Sequence, residues 1–255
     1  MPSAEDDLGR SSTLNIVSYD VALDLTHGPD KFWSRSDVRF RCRQAGTTAF
    51  ADLQATSIQR ATLNGADLNF AAGRRDDRLE LPRLADENTL TVEAEFAYTS
   101  TAAGLHYVTD PEDGSASVYS RSSSQGAPRI YCCFDEPDLR SAFTVSMRAP
   151  AGWSCLAKAP VVSRPPEGDP GIWRFAPTAP IPPWLSSFCA GPYSVSVLLC
   201  ERGKKDPLPV TVQSVPSAAA LLDPARILEL LRQPAETLIP AAREENEPSE
   251  SPPCT

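Results

Sequence analysis

Apolar and polar residues alternate in short runs along most of this chain, and this alternation limits the folds that it can adopt. Residues 19–25 alternate in this way, and residues 38–43 and 90–96 repeat the pattern. Successive side chains of a β-strand point to opposite faces, so each run predicts a strand with one buried face. No run with the period of a helix precedes residue 217. The pattern therefore predicts an all-β fold.

Turn-forming residues separate the runs. Asn64-Gly65 lies between the apolar residues Leu63 and Leu68, and this dipeptide favours the two-residue turn of a β-hairpin. The chain also contains 25 prolines, which suit short strands joined by many turns. Together these features predict a large antiparallel, multi-sheet β-sandwich over residues 13–215, with a short C-terminal helix after it.

The two ends of the chain have different patterns. Residues 1–12 are polar and are expected to form a flexible arm. Residues 216–240 predict a helical segment, with Asp223 as N-cap and Pro224 at the first helical position. Residues 241–255 are acidic and proline-rich, which predicts a disordered tail. The apolar stripe of the helix either packs on the β-domain or forms an exposed patch for a partner; it comprises Ile227, Leu228, Leu230 and Leu231.

Composition excludes several classes of partner. The net charge is −9, which argues against binding nucleic acid or an anionic membrane surface. No apolar run reaches the roughly 18 residues needed to span a membrane. The acidic N-terminus does not resemble a secretory signal, and the seven cysteines lack metal-ligand spacing. These features predict reduced cysteines and a cytoplasmic location.

The segment from Arg129 to Phe143 carries the most specific pattern. A β-prone run ends in a turn, because Pro137 fixes its own φ and pushes the preceding residue into an extended conformation. The segment resembles the Tyr/Phe-Pro-Cys-Phe-Asp/Glu-Glu/Gln-Pro-x-x-Lys-Ala-x-Phe signature of the zinc aminopeptidases of the aminopeptidase N family. The matching positions are Tyr131, Cys133, Phe134, Asp135, Glu136, Pro137 and Phe143.

The resemblance extends beyond the signature and covers roughly residues 13–215. Other matching pieces follow in the family's order and spacing: residues 19–25, 36–40, 62–65, 104–107, 150–153 and 190–193. In that family the signature lies in the N-terminal β-domain, not in the catalytic domain. The resemblance therefore implies an aminopeptidase N-like N-terminal β-domain, with residues 216–240 as the start of a lost catalytic domain.

The motifs that would supply the family's chemistry are absent from this sequence. The family holds zinc with the two histidines of a His-Glu-x-x-His motif and uses the enclosed glutamate as general base. It grips the substrate's amino end with a Gly-x-Met-Glu-Asn loop. This chain has only His27 and His106, and neither motif occurs. We therefore expect no metal site, no cofactor and no peptidase activity in this chain alone.

The family's N-terminal domain also lends one glutamate to the active site, where it binds the substrate's α-ammonium. Counting back from Cys133 places the glutamine of this Gln-Phe-Glu element at Arg121 and its glutamate at Ser123. A gapped register instead places Gln125 at the glutamine and Ala127 at the glutamate. Both registers lack the carboxylate. Arg121 would also repel an ammonium, by roughly 1–4 kcal/mol at about 4 Å.

Four residues of the signature region allow a functional and a structural interpretation. Asp135 and Glu136 could form an acid/base pair, but turn hydrogen bonds or a pairing with Arg140 explain them as well. Cys132 and Cys133 could be reactive thiols, but no histidine is near in sequence, and one of them is expected in the core.

Two features outside the signature have the same ambiguity. His106 could be a metal ligand, but a lone histidine on a strand more often has a structural hydrogen-bond partner. Arg39, Arg41 and Arg43 share one strand face. That face is expected to be solvated, with docking of an acidic partner as the alternative.

Two functions follow from the sequence. The first is a stand-alone, non-catalytic binding or scaffold module that holds a protein or peptide through its sheet edges or its former interdomain surface. The second is a fragment or split subunit of a zinc aminopeptidase that releases N-terminal amino acids from peptides. A separate catalytic chain would then supply the zinc and most of the substrate site. A non-functional remnant is the third and weakest interpretation.

Overall fold

The computed structural model describes residues 10–70, 74–75, 77–100, 103–121, 126–202, 205–227 and 229–230. These residues form two compact units, one ending at Pro192 and one beginning at Tyr193. Strands dominate both units, so the predicted all-β fold is confirmed. No helix within the described ranges is long and apolar enough to cross a membrane.

The described part of the chain contains strands in the following chain order. They are β1 (Leu14–Asp24), β2 (Lys31–Cys42), β3 (Ala49–Asp52), β4 (Ser57–Leu63), β5 (Ala66–Asp67), β6 (Arg74–Arg75), β7 (Arg78–Leu81), β8 (Glu87–Ala97), β9 (Gly104–Thr109), β10 (Ala116–Arg121), β11 (Ala142–Ala149), β12 (Ser154–Ala157), β13 (Val161–Ser163), β14 (Gly171–Phe175), β15 (Phe188–Gly191), β16 (Ser194–Arg202) and β17 (Lys205–Ser214). Short 3₁₀ helices cover Ala127–Arg129, Pro183–Leu185 and Pro216–Leu221.

Three sheets build the first unit. The largest has eight strands in the order β13-β14-β11-β1-β2-β8-β4-β5. A four-stranded sheet has the order β12-β15-β10-β9, and a three-stranded sheet the order β3-β7-β6. Most neighbours are antiparallel, as predicted, but β1 and β11 are parallel. This pair places Tyr19 directly beside Phe143 of the signature segment.

One continuous core joins the three sheets. The alternating residues predicted to be buried do face it, and Tyr19, Val38 and Leu90 are each fully buried. The arginines at positions 39, 41 and 43 are exposed on the opposite face. The alternation therefore predicted correctly which side of each central strand packs inward.

The predicted hairpin turn forms at Asn64-Gly65, between β4 and β5. Asn64 has φ +53° and Gly65 has φ +81°, and the flanking Leu63 and Ala66 are paired. Two consecutive residues with positive φ are the requirement of a type I′ turn, which explains the Asn-Gly sequence.

The second unit contains a hairpin of β16 and β17, followed by helical turns. This unit begins at Tyr193, and β16 and β17 form a sheet of their own. The β-domain bounds of 13–215 stay a prediction. Asp223 does cap the C-terminal helical turn, since its Oδ1 accepts a hydrogen bond from the Arg226 backbone at 3.1 Å. In the predicted stripe Leu230 is 64% exposed, whereas Leu228 and Leu231 lie outside the described residues, as does the tail 241–255.

The N-terminal end of the described chain corrects one prediction. Residues 10–13 form a helical turn, and Arg10 is only 5% exposed. The predicted flexible arm therefore does not extend to residue 12; residues 1–9 lie outside the described part. The reason is a pair of carboxylates, distant in sequence, which bind the Arg10 guanidinium.

Candidate functional site

Backbone hydrogen bonds join the signature segment to the end of β3 and to the residues just after it. The backbone N–H of Asp52 donates to the Cys133 carbonyl at 2.7 Å, and that of Cys133 donates back at 3.1 Å. The backbone N–H of Gln54 donates to the Pro128 carbonyl at 2.7 Å. These bonds extend the pairing of β3 onto the segment before the turn, although that segment is not itself a regular strand.

Aromatic side chains pack the signature into the core. Tyr19 stacks on Phe143 with ring centres 4.4 Å apart and planes 4° apart, and it meets the Tyr131 ring edge-on. The Tyr19 hydroxyl accepts a hydrogen bond from the Phe134 backbone at 3.0 Å. The Tyr131 hydroxyl lies 2.8 Å from the Ser186 hydroxyl. Burial raises the pKa of both tyrosines well above the ordinary value, so both stay neutral.

Glu136 of the signature is buried and bound by a cation from the start of the chain. It is 5% exposed, and its Oε1 accepts a hydrogen bond from the Nε of Arg10. The Nη1 of Arg10 donates to Asp52 Oδ2 at 2.9 Å. The expected partner Arg140 is exposed and instead donates to the Pro137 carbonyl at 3.5 Å. Pairing with Arg140 was therefore wrong, because β3 and the N-terminal turn bring Asp52 and Arg10 to the inner side.

The same cluster continues through Phe50 and Arg78. The Arg10 guanidinium lies 4.1 Å from the centre of the Phe50 ring, and that of Arg78 lies 3.7 Å from it. Burial would lower the pKa of Arg10, but Asp52 and Glu136 raise it above its ordinary value. The Asp135 backbone N–H donates to Asp52 Oδ2 at 2.9 Å, so the cluster also fixes the turn. We call Arg10, Asp52, Glu136, Phe50 and Arg78 the guanidinium cluster.

The geometry does not make Asp135 and Glu136 an acid/base pair. Glu136 is neutralised inside the guanidinium cluster, whereas Asp135 is half-buried at the start of the turn. Cys132 and Cys133 are also fully buried, and burial raises the pKa of both thiols. A thiol that stays protonated is a poor nucleophile, so neither cysteine is set up for redox or covalent chemistry.

Only one of the three positions at which the resemblance places substrate binding lies within the described residues. Ser123 and Gln125 lie outside the described residues. Arg121 ends β10 and is exposed, and it lines a small hollow with Ala127, Ile130 and Trp184. None of the described residues that line this hollow carries a carboxylate, whereas Arg121 supplies a guanidinium.

The four-stranded sheet has a second face that points away from the core. The directly paired residues Leu156, Cys189, Tyr119 and His106 form a row across all four strands. Tyr119 is 40% exposed and Val108 is 42% exposed. We call this the non-core face; its residues are Leu156, Cys189, Tyr119, His106, Val108 and Arg121.

The two histidines do not form a metal site with other described residues. His106 is buried, and its ring stacks on Tyr119 with centres 5.1 Å apart. His27 lies on an exposed turn, 3.6 Å from Asp24. In the part of the chain that the structure describes, no group of three or more His, Cys, Asp or Glu side chains could hold a metal ion. The zinc implied by the resemblance therefore has no fitting ligand set there.

The arginines of β2 face solvent beside acidic partners. Arg41 contacts Glu87 at 3.1 Å, and Arg35 on the same face contacts Glu93 at 2.7 Å. Oppositely charged residues on neighbouring strands balance this face, which favours a solvated surface over a docking site for an acidic partner.

Apart from Glu136, the residues of the guanidinium cluster were not predicted from the sequence. Arg10 lies in a polar stretch and Asp52 at the end of a short strand, with no local signal in either case. The two contacts join Arg10 to residues 42 and 126 positions away.

A β-domain that carries this signature turn is characteristic of the N-terminal domains of aminopeptidase N-like metallopeptidases. The chain belongs to the Peptidase M1 N-terminal domain family, which matches residues 16–185.

Curated relatives agree with this assignment. Aminopeptidase N of Streptomyces lividans is 35% identical over 233 residues, which are 90% of this chain and 26% of that protein. Leucine aminopeptidase 2 of Saccharomyces cerevisiae (strain ATCC 204508 / S288c) is 23% identical over 208 residues, 76% of this chain and 31% of that protein. The chain thus spans about a quarter to a third of the length of these relatives.

Proposed function

We propose that this chain is a non-catalytic binding module that docks a partner protein on the non-core face. The observation that carries the proposal is that Tyr119, Val108 and Arg121 are all exposed on one face of the four-stranded sheet. Aromatic residues and arginine are enriched at the centres of protein interfaces. We also propose a cytoplasmic location, which is supported by the free thiols of Cys42, Cys132, Cys133, Cys155 and Cys189.

We also propose that this chain does not itself catalyse peptide hydrolysis. It is supported by the lack of a His-Glu-x-x-His motif in this sequence and by the lack of a carboxylate at both candidate glutamate positions, which hold Ser123 and Ala127. A substrate ammonium would then find no carboxylate of this chain at these positions, and Arg121, two residues before Ser123 in the sequence, would repel it.

The length of the relatives supports a second candidate function. The matched region is only 26% of the Streptomyces lividans aminopeptidase N, so such a domain can belong to a much larger peptidase. The chain would then be a fragment or split subunit of a zinc-dependent aminopeptidase. A separate catalytic part would occupy the non-core face and would supply the metal.

The first experiment measures zinc content and hydrolysis of a panel of aminoacyl-anilides by the purified chain. We expect neither stoichiometric zinc nor turnover. Turnover that a chelator abolishes would refute the non-catalytic module, because it requires a metal site of the chain's own.

The second experiment tests the non-core face. The immobilised chain is compared with its Tyr119→Asp variant and with a control variant, Val162→Asp. Val162 is an apolar residue that is 69% exposed on β13, in the eight-stranded sheet. A partner identified by mass spectrometry should be retained by the chain and by the control, and lost by Tyr119→Asp. Equal retention by both variants would reject this face. A zinc peptidase as the retained partner would favour the split-subunit candidate.

A further inference from the structure

The strand at one end of the four-stranded sheet has an unpaired edge. This strand is β9 (Gly104–Thr109), and it is the longest terminal strand among the described residues of the first unit, since the others have two to four residues. A terminal strand presents backbone groups to which another strand can bond, and proteins usually protect it with lysine, proline or a bulge. The sequence of β9 is Gly-Leu-His-Tyr-Val-Thr, and its pairing with β10 has no register shift, so it has none of these protections.

The register shows which backbone groups of β9 point outward. The backbone N–H of Asp110 donates to a carbonyl on the β10 side of the hairpin, so the even-numbered residues of β9 bond to β10. Residues 105, 107 and 109 therefore direct their N–H and C=O groups away from the sheet. The Leu105 carbonyl accepts from the Thr99 backbone N–H at 2.9 Å. Within the described residues, Tyr107 and Thr109 make no backbone hydrogen bond on this side.

The backbone of this edge is complementary to a second copy of itself. In an antiparallel pair centred on Val108, the outward groups of Tyr107 bond to those of the partner's Thr109, and the twofold axis repeats both bonds. The next outward residue, Leu105, then lies opposite the partner's Pro111. The Leu105 carbonyl is already bonded within its own chain, and proline has no N–H to donate, so neither group loses a partner at this position.

The charges at the two ends of the edge are complementary in the same way. The turn after β9 is acidic and contains Asp110, Glu112 and Asp113. At the other end Arg129 is exposed, and its side chain lies against Gly104. The same register, continued into the turn, places Glu112 of each copy beside Gly104 and Arg129 of the other. Parallel pairing would instead bring the two acidic turns together, so the charges favour the antiparallel arrangement.

We propose that two copies of this chain dimerise through their β9 strands and join their four-stranded sheets into one continuous sheet. The side chain of Val108, which is 42% exposed, packs against the partner's Val108, and the two non-core faces form one surface. This inference goes beyond the proposed docking function and does not depend on it, because the dimer needs no other protein. The contact consists of one strand edge, so we expect a weak dimer that depends on concentration.

Sedimentation equilibrium of the purified chain tests the dimer. We expect the mean mass to rise from monomer towards dimer between about 10 μM and about 1 mM, and to rise less at high salt. Glu112→Arg should raise the dissociation constant about tenfold, because symmetry doubles the unfavourable contact with Arg129. The double variant Glu112→Arg/Arg129→Glu should restore the dimer. A monomer mass throughout, or a double variant as weak as the single one, would overturn the proposal.

Cysteine trapping tests the register. Residues opposite each other at a non-hydrogen-bonded antiparallel position have Cα atoms about 4.5 Å apart, which a disulfide can span. Val108→Cys should therefore give a disulfide-linked dimer under mild oxidation, above the background of the parent chain's own cysteines. The matched Thr109→Cys is roughly 8–9 Å from its counterpart and should stay at that background.

Two results of this trapping would reject the β9 edge as the interface. One is no linked dimer with Val108→Cys, and the other is equal trapping of Thr109→Cys. Neither result bears on the docking function, which is judged by the partner that the Tyr119→Asp variant retains or loses.

Discussion

Replacing Arg10 by methionine removes the cation of the guanidinium cluster while keeping a side chain of similar length. The carboxylate of Glu136, which is 5% exposed, then loses its contact with the Arg10 Nε, and Asp52 loses its bond to Nη1 at 2.9 Å. The cation–π contact with Phe50 at 4.1 Å is lost as well. We expect this single change near the end of the chain to destabilise the whole first unit.

The magnitude follows from the burial of the charges. Removal of one partner from a buried ion pair typically costs about 3–5 kcal/mol, because the remaining charge stays desolvated. The free energy of unfolding of a domain is about 5–15 kcal/mol, so this loss is a large part of the total.

The assay is unfolding in urea, followed by circular dichroism. Urea replaces guanidinium chloride here because guanidinium is the cation that the cluster binds. The control is Arg140→Met, whose exposed side chain donates only to the Pro137 carbonyl at 3.5 Å, so a change within about 0.5 kcal/mol is expected. A loss below about 1 kcal/mol for Arg10→Met would refute the role of the cluster. A non-additive double variant with Glu136→Gln would assign the effect to the pair.

Three further changes test the aromatic core and the hairpin turn. Tyr131→Phe removes the hydroxyl contact with Ser186 at 2.8 Å and should cost about 1–2 kcal/mol in urea unfolding. Gly65→Ala at φ +81° should cost about 1 kcal/mol, measured in the same way; no loss would mean that the turn is not type I′. Because the pKa of buried Tyr19 is raised in the folded state, only the unfolded chain ionises it just above pH about 10. Stability should be unaffected below that pH and should fall above it by up to about 1.4 kcal/mol per pH unit, and less steeply in Tyr19→Phe.

Local alternation was enough to predict much of the fold. The side chains of Tyr19, Val38 and Leu90 face the core as expected, because one face of each strand must be apolar to pack. Asn64-Gly65 gave the hairpin turn for an equally local reason, since both residues tolerate positive φ. Features whose cause lies within a few residues could thus be inferred from the sequence.

Contacts set by the sheet order could not be predicted. The alternation in β1 says which face is buried, but nothing in it says that β11 is a parallel neighbour. Only that pairing stacks Tyr19 on Phe143. Arg10 was assigned to a flexible arm for the same reason, because its partner Glu136 is 126 residues away. The contacts of the candidate site were the least predictable, since most of them join residues that are distant in sequence.

The geometry of Glu136 explains why the signature identifies the domain without identifying an activity. Its carboxylate is held by Arg10, and the neighbouring Phe134 and Cys133 are bound by Tyr19 and Asp52. Each of these contacts stabilises the turn, and none leaves a group free to act on a substrate. The positions that the resemblance implies for substrate binding lie outside the signature, at Arg121 and Ser123 or at Gln125 and Ala127.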